Sequence, residues 1–129
     1  MAVTSKAFTN LDGHQYMSLT TFRKTGEAVV TPVWFINEGG KLYMLTLNDA
    51  GKLKRIRNNG AVTVAPCTVR GDILGGAADG TARVISGDDA KHANKLLSGK
   101  YGLFKRGFDL MQRLTGKFNN RAYLEITPR

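Results

Sequence analysis

Cysteine is nearly absent. Cys67 is the one thiol in 129 residues, so no disulfide closes within the chain, and a reducing, cytoplasmic setting is expected. Histidine is almost as scarce. His14 and His92 with a single cysteine do not suffice for a closed zinc site. No Gly-rich dinucleotide turn, P-loop or nucleophile elbow occurs, and neither histidine has a Ser or Asp partner that would suggest a triad. Long apolar runs are missing too: the longest, AVVTPVWFI at 28–36, falls far short of the ~20 residues that span a bilayer. The opening MAVTSKAFTNLDG lacks the apolar core of a secretory signal. No integral membrane association is therefore expected. Acid is in short supply: 10 Asp and Glu face 19 Lys and Arg, a net charge of +9, which favours anionic partners.

The rest of the composition suits one globular domain over 1–129, with 42% hydrophobic residues to build a core. Residues 1–13 read as a loosely docked lead-in. YMSLTTFR (16–23), AVVTPVWFI and LYMLTL (42–47) read as strands joined by the turns KTGE and NEGGK, an antiparallel meander. A short helix at about 50–58 follows, started by Asn48 or Asp49 and stopped by Asn-Gly. AVTVAPC (61–67) and TARVIS (81–86) read as further strands around a Gly- and Asp-containing loop at 69–80. A helical segment at 88–116 combines GDDAKHANKLLSG, with an Asp cap, and KYGLFKRGFDLMQRLTGK. In the latter, Phe104, Phe108 and Met111 form a stripe widened by Leu103, Leu110 and Leu114, while Lys105, Arg106, Arg113 and Lys117 lie mostly elsewhere. AYLEIT closes the sheet over 121–127. Many short strands with few helices predict a mainly β protein, a small barrel with α elements outside it.

Two stretches stand out chemically. In NDAGKLKRIRNNG (48–60), Lys52, Lys54, Arg55 and Arg57 crowd a helix whose N-terminal end is already positive, with no acid among them. Lys52 and Arg55 share one stripe, and Lys54 and Arg57 another. An anion at the helix start, a phosphate above all, would relieve that repulsion. In TPVWF (31–35), Pro32 cannot donate a ladder hydrogen bond and marks an edge or interruption. Trp34, the single tryptophan, packs in the core or against a flat ligand. Cys67 is expected to be buried and structural. His14 and His92 are expected to hold surface or capping roles.

YMSLTTFRKTGEAVVTPVWF, LYMLTLNDAGKLKRIRNN, VTVAPCTVRG and GTARVI, in that order and spacing, resemble the pyridoxamine 5'-phosphate oxidase-like split-barrel superfamily. Within it the chain is similar to the small coenzyme F420-dependent branch. The resemblance implies a six-stranded split β-barrel, a homodimer, and a flavin or deazaflavin held at the dimer interface. It places Thr31, Pro32, Val33 and Trp34 along the ring, Thr46 near the phosphate, and Lys52 on the phosphate with Arg55 one turn on. Gly51 stands where the oxidase branch carries an Arg, which argues against tight FMN binding and pyridoxamine phosphate oxidation, and the +9 charge suits the polyanionic coenzyme F420 better than FMN as cofactor. The implied activity is hydride transfer between reduced deazaflavin, or flavin, and a planar conjugated small-molecule acceptor, with no catalytic residue identified. The alternative on the same barrel is a non-catalytic flavin, deazaflavin or tetrapyrrole carrier. Nucleic-acid binding is not expected, because cations are sparse in the aromatic strands.

Overall fold

The computed structural model describes residues 6–116 and 120–129. Lys117 and residues 1–5 of the lead-in lie outside them. The meander opens on β1 (Tyr16–Phe22) and β2 (Ala28–Val33), paired antiparallel across a turn in which Gly26 takes a φ of 90°. β3 (Ile36–Glu38) and β4 (Lys41–Leu47) make the second hairpin. Then come α1 (Gly51–Asn58), β5 (Ala61–Cys67), β6 (Ala78–Ile85), α2 (Gly87–Leu114) and β7 (Arg121–Pro128). α2 is two arms joined at Gly102, whose φ of 50° and ψ of −121° break the helix.

All strands belong to one antiparallel sheet in the order β2-β1-β5-β6-β7-β4-β3. β2 and β3 occupy its opposite ends, yet only Trp34 and Phe35 separate them in the chain. The sheet therefore curls until its two edges meet at that corner, which is the geometry of a split barrel. AVVTPVWFI, expected as one strand apolar on both faces, is instead broken there. Its first half is an edge strand of alternating exposed and half-covered residues. The missing N–H of Pro32 is tolerated because β2 has a neighbour on one side only. Seven strands are seen where six were expected, because one expected strand has become β2 and β3.

The barrel is filled by the inward residues of alternating strands, Met17, Leu19, Met44, Val62, Leu124 and Ile126 among them, each at most 1% exposed. A 3-10 turn at Lys6–Leu11 plugs one end with fully buried Phe8 and Leu11. That part of the lead-in is thus core rather than loosely docked. Gly80 is required chiefly by the close approach of β7: a Cβ there would stand 2.7 Å from Ile126 Cγ2, 3.0 Å from the Thr127 carbonyl oxygen and 3.3 Å from Phe8. α1 closes another opening with Leu53 and Ile56.

Several local expectations are corrected. The N-cap of α1 is Ala50, without a side-chain cap, rather than Asn48 or Asp49. α2 is capped at Ser86, and Asp88 and Asp89 occupy its first turn, where they complement the helix dipole. β6 starts at Ala78, earlier than Thr81, and the loop before it is held by a Cys67–Ile73 bridge. Among the described residues, no helix is long and apolar enough to cross a membrane.

Candidate functional site

Two side chains of α2, Tyr101 and Lys100, hold the corner between β2 and β3. Tyr101, the last residue before the Gly102 kink, is 5% exposed. Its hydroxyl accepts the Phe35 N–H at 2.9 Å and reaches the carbonyl oxygens of Gln15 at 2.7 Å and Phe35 at 2.8 Å. Burial pushes its ionisation well above the ordinary tyrosine value, even though the Phe35 backbone bond acts in the other direction. Lys100 beside it donates to the Phe35 carbonyl at 2.8 Å and sits 3.6 Å from the centre of the Phe35 ring. Burial lowers Lys100 to about 8, with Asp12 opposing that shift. Phe35 is thereby fixed in the core, and its neighbour Trp34 is turned outward, half-buried. Trp34 stacks on Tyr101 at 4.5 Å and 13° and meets Phe108 at 5.3 Å and 60°.

On one flank of Trp34 lies an open cavity of about 450 Å³. β2 contributes Pro32 and Val33, β4 contributes Leu45, Thr46 and Leu47, α1 contributes Lys52, and the second arm of α2 contributes Phe108, Met111 and Gln112, with Thr115 just past its end. On the other flank, Trp34, Tyr16, Tyr101 and Phe104 border a second, aromatic recess of about 320 Å³. Of the residues expected at a ligand, Pro32, Val33, Trp34, Thr46 and Lys52 thus converge on one cavity, whereas Thr31, Gly51 and Arg55 are not on its wall.

Lys52 and Arg55 are half-buried, while Lys54 and Arg57 are exposed. The two stripes read from the sequence are therefore distinct in environment. Lys52 forms no hydrogen bond or ion pair among the described residues. Burial, and then the nearby charge of Arg55, lower its pKa. Arg55 is anchored: its Nε donates to the buried Thr21 hydroxyl at 2.7 Å. A Cβ on Gly51 would lie 2.9 Å from Arg55 Nη1. The Arg55 guanidinium therefore rests over the first turn of α1, in space that a side chain at position 51 would need.

The second arm of α2 faces the opposite way from the usual amphipathic helix. Lys105 and Gln112 are buried, whereas Leu103, Phe104, Leu110, Met111 and Leu114 are exposed. The buried side is a polar network. Lys105 donates to Asn94 at 2.7 Å and to Asp109 at 3.1 Å, and Arg121 of β7 pairs with Asp109 and donates to Gln112 Oε1 at 2.5 Å. Burial alone would raise the Asp109 carboxyl, but hydrogen bonds from Arg121 and Lys105 outweigh it and hold the pKa below the ordinary value.

Cys67 is buried, and its thiol is pushed up by burial and then by Asp72, the opposite of an activated thiolate. His92 meets Glu38 at 2.9 Å on the surface, away from the cavity. No cluster of metal-ligating side chains occurs among the described residues. Tyr101, Lys100, Thr21 and Gln112 went unmarked in the sequence. The one available hint was Gly102 beside Tyr101, a helix break placed next to an aromatic residue.

A sequence profile of pyridoxamine 5'-phosphate oxidase matches residues 3–128. Comparison with curated proteins gives no match. Among solved structures, the chain is similar to an F420-H2 dependent reductase, FDR-A, at 21% identity and a TM-score of 0.63, covering 87% of this chain and 93% of that one. It is similar to an FAD-binding protein from Mesorhizobium loti at 16% identity and a TM-score of 0.66, covering 99% and 91%. It is also similar to a heme storage protein from Vibrio cholerae at 12% identity and a TM-score of 0.65, covering 91% and 83%.

Proposed function

We propose, from the premise that this chain belongs to the pyridoxamine 5'-phosphate oxidase family, that it is an oxidoreductase binding coenzyme F420, with FMN as the alternative. Its reaction is hydride transfer between that cofactor and a planar conjugated acceptor. One observation carries the reading. The cavity beside Trp34 is apolar, large enough for a flat ring system, and its single titratable lining residue is the half-buried Lys52, which has no acidic partner among the described residues. Such a donor set fits a planar ligand that ends in an anion.

In this reading Trp34 and Phe108 wall the ring, and the free edge of β2 at Thr31, Pro32 and Val33 offers backbone groups to its polar rim. Thr46 stands near the phosphate. Lys52 holds the phosphate at the start of α1, where the N–H groups of Gly51 and Lys52 precede the first helical bonds. Arg55, fixed by Thr21, supplies a second cation over Gly51, in place of the Arg that the oxidase branch carries there. The cofactor supplies the hydride chemistry when bound. The protein orients the reactants and excludes water, and Lys52, the one titratable side chain on the wall, is taken up by the phosphate.

A second copy of the chain completes the cavity, which is open in one protomer and bordered by the exposed apolar arm of α2. The carrier alternative draws on the same wall, where Lys52 is the one titratable side chain. Neither His14 nor His92 lies on the wall, so a haem-type cargo would take its axial ligand from another group, Met111 being the thioether there. The test is titration of purified protein with coenzyme F420 and with FMN while following Trp34 fluorescence, then turnover of the reduced cofactor with planar acceptors. Quenching at saturation is expected. Emission unchanged by both cofactors overturns the reading, and binding without turnover favours the carrier.

A further inference from the structure

We infer that Gln112 is a specificity residue of this cavity, presenting a hydrogen-bond donor to an uncharged oxygen of the ligand between its ring and its phosphate. The inference rests on the cofactor reading above and refines it. A guanidinium can only donate, so the 2.5 Å contact from Arg121 Nε fixes which end of the amide is which: Oε1 faces Arg121 and Nε2 points away. Arg121 is itself set by Asp109 and by its place in β7 opposite Leu47, so the amide is held from behind by the sheet. Gln112 is 7% exposed and lines the cavity. Its Nε2 makes no hydrogen bond among the described residues, yet it is not sealed in the interior. The remaining opening is the cavity.

Position along the wall supplies the ligand chemistry. One turn earlier, Phe108 tilts against Trp34 at the aromatic end. Arg121, which holds Gln112, pairs with Leu47 just ahead of α1 and Lys52. Gln112 therefore stands between the surface that would take a ring and the cation that would take a phosphate. A donor there, with no carboxylate nearby on the wall, selects a carbonyl on the ring or a hydroxyl oxygen on the chain linking ring to phosphate. It discriminates against ligands that turn a donor toward this side.

The experiment compares wild type, Lys52→Ala, Gln112→Glu and Gln112→Met with two ligand pairs: FMN with riboflavin, and coenzyme F420 with its phosphate-free deazaflavin alcohol. Gln112→Glu keeps an acceptor for Arg121 but exchanges the free N–H group for a carboxylate oxygen. It should weaken both members of the bound pair by roughly tenfold or more, and Gln112→Met by a smaller factor. Lys52→Ala should weaken only the phosphate-bearing member. The side-chain amide protons of Gln112 should also shift in a 15N-resolved NMR spectrum on adding the phosphate-free ligand, as a residue at the ligand must. Equal affinity of Gln112→Glu and wild type, with an unmoved amide signal, overturns this inference while the Lys52 result upholds the cofactor reading. Wild-type protein that binds neither pair overturns both.

Discussion

Tyr101→Phe isolates the device that makes the corner of the barrel. The substitution keeps the ring, and with it the 4.5 Å stack on Trp34, and removes a single oxygen. That oxygen accepts the N–H of Phe35, a residue 1% exposed, and donates to a carbonyl of Gln15 or Phe35. The Phe35 carbonyl retains the Lys100 ammonium at 2.8 Å, so it is not stranded. The Phe35 N–H is, and the Gln15 carbonyl loses its donor. Leaving a buried backbone group unpaired costs about 1–3 kcal/mol, and the Gln15 oxygen adds a smaller share. A loss of about 2–3 kcal/mol is expected, equivalent to a fall in Tm of roughly 6–10 °C for a domain of this size. Urea unfolding followed by circular dichroism measures it directly, with the m-value unchanged. A loss below about 0.5 kcal/mol would mean that the Phe35 N–H finds another partner, and that Tyr101 is not what sets the break.

Lys52→Ala should weaken binding of the phosphate-bearing cofactor by roughly ten- to a hundredfold while leaving the empty protein as stable or slightly more so, since a half-buried cation at a positive helix end is removed. Arg55→Ala should weaken binding too, but it also deletes the bond to Thr21 and should destabilise by about 0.5–1.5 kcal/mol; the exposed Lys54→Ala is the control for bulk charge, and equal small losses in all three variants would reduce the site to a diffuse basic field. Light scattering at micromolar concentration should report a dimer, and Phe104→Glu, at a side chain 81% exposed, should shift it toward monomer; a monomeric wild type refutes the shared cavity. Burial takes Lys100 from 10.5 to about 8, so between those values the unfolded chain binds more protons than the folded one and stability rises with pH. The gain between pH about 8 and about 9.5, below tyrosine ionisation, should be smaller in Lys100→Met, and an identical slope in both proteins would count against a half-buried ammonium.

Much of the scaffold could be read from local pattern because runs of apolar, aromatic and β-branched residues between turn signals mark strands, and β1, β4 and β7 are such runs around the buried Met17, Met44 and Leu124. The cations of α1 could likewise be sorted into two stripes, since helical spacing alone separates Lys52 and Arg55 from Lys54 and Arg57. Other features depended on partners far along the chain. The backbone groups at the break after Val33 are satisfied by Tyr101 and Lys100, 66 and 65 residues from Phe35, and no window around TPVWF contains that information. Thr21 holds Arg55 from 34 residues away. Gln112 reads as an unremarkable helix polar residue until Arg121 is placed behind it. The burial of Phe8 and Leu11 was missed for a related reason: a short 3-10 plug carries no periodicity to detect.

The second arm of α2 shows most plainly why pattern alone misassigns a face. A stripe of Leu103, Phe104, Leu110, Met111 and Leu114 ordinarily predicts which side meets the core, yet here the buried side is Lys105, Asp109 and Gln112. The barrel interior is already filled by strand residues, so the arm packs on the outside of β7, where Arg121 is met by a polar network. Hydrogen bonds and ion pairs of this kind contribute little net stability once desolvation is counted, so the network positions the arm more than it holds it. What it positions is Phe108, Met111 and Gln112 on the cavity wall. The apolar residues left outward then represent hydrophobic stabilisation that one protomer does not realise, and a surface of this kind that borders a half-open cavity is best used by burying it against a second copy. On the dimeric, cofactor-binding reading proposed above, dimerisation and ligand binding should reinforce each other, because each would fix the same arm.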